Sequence, residues 1–105
     1  MPYRIVFDSI ILNQLKKLGE NESIRSILTK MMDKIEELGP RAGKLIDSHL
    51  FIYEMKTKNS PLRLYFKHAQ NNDIYLFEYE LKTSKKKQQK TIEQLRQRVR
   101  TIFRN

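Results

Sequence analysis

Cysteine is missing from the 105 residues, and glycine and proline occur only three times each. Without cysteine there is no disulfide, no thiolate metal site and no cysteine nucleophile. The same absence fits a reducing cytoplasm. The glycines do not form a phosphate-cradling loop, and no serine stands in a nucleophile-elbow context. Histidine is confined to His49 and His68, which is not a metal-binding pattern. No apolar run approaches the roughly 20 residues of a membrane-spanning helix. The opening Met1-Pro2-Tyr3-Arg4-Ile5-Val6-Phe7-Asp8 turns polar too soon for a secretion signal. The expectation is a cytoplasmic protein with no cofactor, metal or membrane partner, forming one domain over residues 1–105.

What the chain has is positive charge, concentrated near one end. The net charge is +9, from 21 Lys and Arg against 12 Asp and Glu. Residues 1–81 hold 12 basic and 11 acidic side chains, a net of +1. Residues 82–105 hold nine basic residues (Lys82, Lys85, Lys86, Lys87, Lys90, Arg96, Arg98, Arg100, Arg104) against Glu93 alone, a net of +8. Such a field attracts polyanions, and phosphate backbones reward it through counterion release. An acidic protein surface satisfies the same charge, and so does water around a solvated tail.

Tyr3-Arg4-Ile5-Val6-Phe7 alternates and reads as a first strand. Asp8 or Ser9 can cap a helix through Leu18, with Ile11, Leu15 and Leu18 at helical spacing and Gly19 closing it. Asn21 or Ser23 starts a second helix, whose stripe Ile24, Ile27, Leu28, Met31, Met32, Ile35 and Leu38 is a core face. Gly39-Pro40 ends it, since proline cannot continue the ladder. Strands are then expected at Leu50–Lys56, Leu62–Lys67 and Ile74–Leu81. Alternation puts Leu62, Leu64 and Phe66 on one face and Arg63, Tyr65 and Lys67 on the other. Short turns between them favour an antiparallel meander. A basic helix follows from about Gln88, and its stripe Ile92, Leu95, Val99, Ile102 and Phe103 must dock on something. The predicted class is α+β in the order β-α-α-β-β-β-α, a twisted, mainly antiparallel sheet with an N-terminal helical hairpin.

Two stretches carry a family resemblance. Ile52-Tyr53-Glu54-Met55-Lys56, with Pro61-Leu62-Arg63-Leu64-Tyr65-Phe66, is similar to a strand of aromatic-Glu-Leu-Arg type, a turn, and a strand bearing an arginine. Leu81-Lys82-Thr83-Ser84-Lys85, running through Ile92-Glu93 to Arg98, is similar to a strand that ends in basic residues and leads into a helix with Ile and Arg. With the element order, these resemble the RelE/ParE toxins of type II toxin–antitoxin systems, in particular the HigB-like branch. The resemblance implies a metal-independent endoribonuclease that cuts translated mRNA in the ribosomal A site. It also implies three partners: the ribosome, the message and a cognate antitoxin.

Cutting RNA without a metal needs a base for the 2′-hydroxyl, cations for the crowded phosphate and an acid for the leaving oxygen. Arg63 is the first candidate for the phosphate, because its planar charged fork matches phosphate oxygens. The alternative for Arg63 is an ion pair with Glu54 or Glu78 across the sheet. Lys56 stands where the resemblance places an arginine and lacks the bidentate fork. Lys82 and Lys56 are candidate bases if neighbouring cations lower their pKa. Tyr79 can stack on a base or donate a proton, or be a half-buried sheet aromatic. Glu54 is a candidate base or scaffold, and a lone histidine such as His68 is more often structural or incidental than catalytic. Lys85, Lys86, Lys87, Lys90 and Lys67 are candidate RNA-backbone contacts. The family's usual His, Tyr or Asp near the chain's end is not matched here by any His or Tyr after Tyr79. Two other functions stay open: a ParE-like gyrase poison without nuclease activity, and a weakened relative that only binds antitoxin or RNA.

Overall fold

In a computed structural model, which describes residues 3–103, Arg4–Phe7 forms strand β1. Met1 and Pro2 of the N-terminal reading and Arg104 of the basic segment lie outside the described residues. Asp8 caps helix α1 (Ser9–Leu18), its carboxylate accepting from the Ile10 N–H at 3.1 Å. Asn21 does the same for α2 (Glu22–Leu38), accepting from the Ile24 N–H at 3.3 Å. Each cap satisfies one of the amides that a helix start leaves without a carbonyl. Four strands follow: β2 (Lys44–Asp47), β3 (Ile52–Lys56), β4 (Leu62–His68) and β5 (Asp73–Leu81). The last element is helix α3 (Lys85–Ile102).

The sheet runs β1-β5-β4-β3-β2. Strands β2 to β5 form an antiparallel meander, and β1 joins β5 in parallel, Ile5 opposite Ile74 and Phe7 opposite Leu76. Each face carries its own core. Leu62, Leu64, Phe66, Met55, Ile74 and Leu76 pack under the α1–α2 hairpin with Ile11, Leu28, Met31 and Ile35. Ile52, Tyr65 and Phe77 pack under α3 with Ile92, Leu95 and Val99. The expected α+β class, hairpin and facial assignment of β4 are all present.

Three details differ from the sequence reading. Strand β2 was not expected, since Lys44-Leu45-Ile46-Asp47 is too short for alternation to register. The next strand begins at Ile52 and not Leu50, because Asp47 accepts from the His49 and Leu50 amides and turns the chain, leaving Phe51 at φ 54°. Helix α3 begins at Lys85 and not near Gln88. Ser84 caps it by accepting from the Lys87 N–H at 3.2 Å, so the lysine run is the first helical turn.

Gly39 joins α2 to the rest of the fold at φ 59°, and a Cβ there would sit 2.3 Å from Cζ of the Tyr3 ring. Both the dihedral and the contact require glycine. Gly19 shares the positive φ of 57° but has nothing within 4 Å of a Cβ. Gly39→Ala should therefore cost about 2–3 kcal/mol and Gly19→Ala about 1. Thermal unfolding of both variants checks this, and equal losses would contradict the role given to Tyr3.

Candidate nucleic-acid interface

Beneath the first half of α3 the sheet face is polar. Arg63 on β4 has Lys56 directly opposite on β3 and Glu80 directly opposite on β5. Its Nη1 donates to Glu54 Oε2 at 3.0 Å, with side-chain exposures of 15% and 5%. Gln88 on α3 reaches down and donates to the same Glu54 oxygen. The Tyr65 hydroxyl donates to Glu80 Oε1 at 2.7 Å, and the Thr91 hydroxyl to Glu80 Oε2 at 2.6 Å. Burial and the Glu80 carboxylate push the Tyr65 phenol up, so it stays protonated. Arg63 Nε is buried and has no acceptor.

The sequence candidates divide by position. Lys56 and Arg63 are strand neighbours at the end of the sheet where β4 begins. Lys82 lies at the same end: its N–H donates to the Pro61 carbonyl at 2.7 Å and its Nζ to the Thr57 carbonyl at 2.9 Å. Ser84 then starts α3, so exposed Lys85, Lys86 and Lys87 belong to this end too. Lys86, Lys87 and Lys90 line one shallow depression with Ser84, Thr91 and Gln94. Like charges crowd the positive end of the helix dipole there, with no acidic residue in the first turn.

Tyr79 and Lys67 are elsewhere. Tyr79 packs with the hairpin core on the opposite face of the sheet from Arg63, and its backbone exchanges two hydrogen bonds with the Gln14 amide. Lys67 is near the far end of β4, 9% exposed, its ammonium on the Leu50 carbonyl and against the rings of Phe51 and Phe103 at 5.5 and 5.1 Å. Burial lowers its pKa. Gln88, Thr91 and Glu80 were not singled out from the sequence. The signal was present: Gln88 and Thr91 lie in phase with Ile92, Leu95 and Val99, so they share the inward face of α3.

Neither any protein-family model nor any curated protein sequence matches the chain. Solved structures do. The isolated RelE toxin of E. coli matches at TM-score 0.62 and 20% identity, over 89% of this chain and 98% of that one. A chain of the E. coli RelBE toxin–antitoxin complex matches at 0.60 and 21%, over 78% and 99%. A chain of the RelBE2 complex of Mycobacterium tuberculosis matches at 0.63 and 14%, over 78% and 100%. This chain has the RelE fold.

On this RelE fold several carboxylates lie beneath α3, while those of the α1–α2 hairpin stay exposed. Asp8, 1% exposed, accepts from Arg98 at 2.9 Å and from the Tyr75 hydroxyl at 3.1 Å. Glu78, opposite Tyr65 in the sheet, faces both Glu80 and Asp8. Burial first, then those two carboxylates, pushes its pKa up to about 7. In an unfolded chain a glutamate titrates near ~4.3. Between these values the folded protein holds a proton that the unfolded chain has released. The stabilisation is thus complete below pH ~4.3 and is lost as the pH rises through about 7. Glu78→Gln removes this titration. Relative to the wild type it should gain about 1–2 kcal/mol between pH 4.5 and 8, the value being reduced by partial solvent exposure. Urea unfolding across that range checks it, and a constant difference would contradict it.

Proposed function

We propose that this chain is the toxin of a type II toxin–antitoxin pair, a metal-independent endoribonuclease that cuts mRNA on the ribosome and is held in check by a cognate antitoxin. The observation that carries this reading is the gathering of Lys56, Arg63, Lys82, Lys85, Lys86, Lys87 and Lys90 at one end of the sheet. The fold shared with RelE supports it, as does the presence of antitoxin-bound RelBE complexes among the similar structures. In this reading Arg63 stabilises the phosphate, Lys56 and Lys82 flank the reacting sugar, and the α3 lysines hold the backbone. Tyr79, across the sheet, and Lys67, held internally, are left out of the site. The ribosome supplies the positioning that so sparse an acid–base set lacks.

Induced expression in a bacterial host, with growth followed and mRNA 5′ ends mapped, tests the reading. Growth arrest with cuts confined to translated frames is expected, and Arg63→Ala should abolish both. Arrest without such cuts would favour a gyrase-type poison, and no arrest a binding-only relative. Replacing exposed Lys86, Lys87 and Lys90 together by Ala should lower the slope of log affinity against log salt by about 2 for single-stranded RNA, at ~0.7 per phosphate contact. An unchanged slope would remove these lysines from the interface.

A further inference from the structure

Arg63, the residue best suited to a phosphate, already has an anion. Its pairing with Glu54 is incomplete: one Nη1 donor is used, while Nε is buried with no acceptor. A guanidinium offers five donors and binds best through two parallel hydrogen bonds, so a single-toothed carboxylate is a weak occupant. Lys56 lies directly opposite Arg63 in the β3–β4 register. Like charges so placed repel, and of the two nearby carboxylates Glu80 is taken up by Tyr65 and Thr91. Glu54 is therefore the one carboxylate paired with Arg63 among the described residues, Lys56 being exposed to water, and it is kept there from above by Gln88.

We propose that Glu54 is a resident phosphate mimic, filling an anion subsite at Arg63, beside its strand neighbour Lys56, that an RNA phosphate takes over on binding. That the incoming phosphate is RNA's rests on the function proposed above; the subsite itself rests on the geometry. Exchange keeps the half-buried guanidinium compensated throughout, whereas simple loss of Glu54 would leave a desolvated charge unpaired. The phosphate brings two oxygens to a fork that the carboxylate engages once. Glu54 is thus a positioning residue: it holds Arg63 in place before substrate arrives and sets how tightly substrate is gripped.

The test measures binding of a single-stranded RNA oligonucleotide at fixed salt, together with the Arg63 Nε–H signal by NMR during titration with inorganic phosphate. Glu54→Gln should bind RNA about tenfold more tightly, the gain expected of a charge-assisted contact released from competition. The gain should vanish in the Glu54→Gln/Arg63→Ala double variant, and Glu80→Gln, which removes an equal charge, should show little of it. Gln88→Ala, which only loosens Glu54, should gain about two- to threefold, and serves if Glu54→Gln does not fold. Where the wild type binds RNA, equal gains from Glu54→Gln and Glu80→Gln, a gain that survives loss of Arg63, or no gain in either Glu54→Gln or Gln88→Ala would overturn the proposal. Phosphate should shift the Arg63 Nε–H signal more strongly in the variants than in the wild type. If it does so while RNA is neither bound nor cut, the subsite stands and the RNA-cleaving function falls. If RNA is cut but no variant changes the response to phosphate, the function stands and the subsite falls.

Discussion

Burial of β4 on both faces is the constraint around which the molecule is arranged. It is the middle strand of five, with Leu62, Leu64 and Phe66 inaccessible under the helical hairpin and Tyr65 inaccessible under α3. Each such side chain contributes on the order of 1.5–3 kcal/mol by leaving water. The strand therefore cannot shift by one residue, because a slip would exchange the two sets between faces. That fixed register is what sets Arg63 beside Lys56 and Glu80, and Tyr65 beside Glu54 and Glu78. The chemistry at the end of the sheet follows from apolar packing in its middle.

The second organising force is electrostatic. Helix α3 is basic, and the sheet and loops beneath it supply the counter-charges: Arg98 pairs with Asp8 at 2.9 Å and Arg96 with Asp47 at 2.8 Å. Gln88 and Thr91 reach Glu54 and Glu80. Asp8, Asp47, Glu54 and Glu80 are thus taken up beneath α3, while Glu20, Glu22, Asp33, Glu36 and Glu37 on the hairpin side are exposed, as are Lys85, Lys86, Lys87 and Lys90. At the start of α3 the positive charge is left with no acidic residue in the same turn.

Legibility from sequence followed the strength of the local signal. Helices α1 and α2 were readable because caps, apolar period and Gly39-Pro40 bracket their limits, the structure choosing Asn21 over Ser23 as the cap of α2. The faces of β4 were readable from alternation. Strand β2 was not, being four residues long with a register break between Leu45 and Asp47. The start of α3 was obscured because three lysines at a helix N-terminus oppose the dipole, and Ser84 overrides that preference. For the site, the sequence presented Arg63 with an ion pair to Glu54 as its alternative, and the structure contains that pair. What no one-dimensional pattern conveys is that Gln88 and Thr91 would close over it. Nor does the alternation of β5 foretell Phe77: the register break opposite Tyr65 and Phe66 leaves it as the extra residue, turned toward α3.

The parallel seam between β1 and β5 bears on how the chain comes to be built. Arg4 finds Asp73 across 69 positions of sequence, and Asp8 finds Arg98 across 90. Such distant closures are the slow steps of folding. During synthesis from the N-terminus, the hairpin helices can form early, but β1 must wait, unpaired, until β5 has been made, and Asp8 until α3 has been made. Until Asp73–Leu81 has been made, β1 has no strand to pair with and β4 keeps an open edge. Whatever the finished protein does, its assembly is gated by translation.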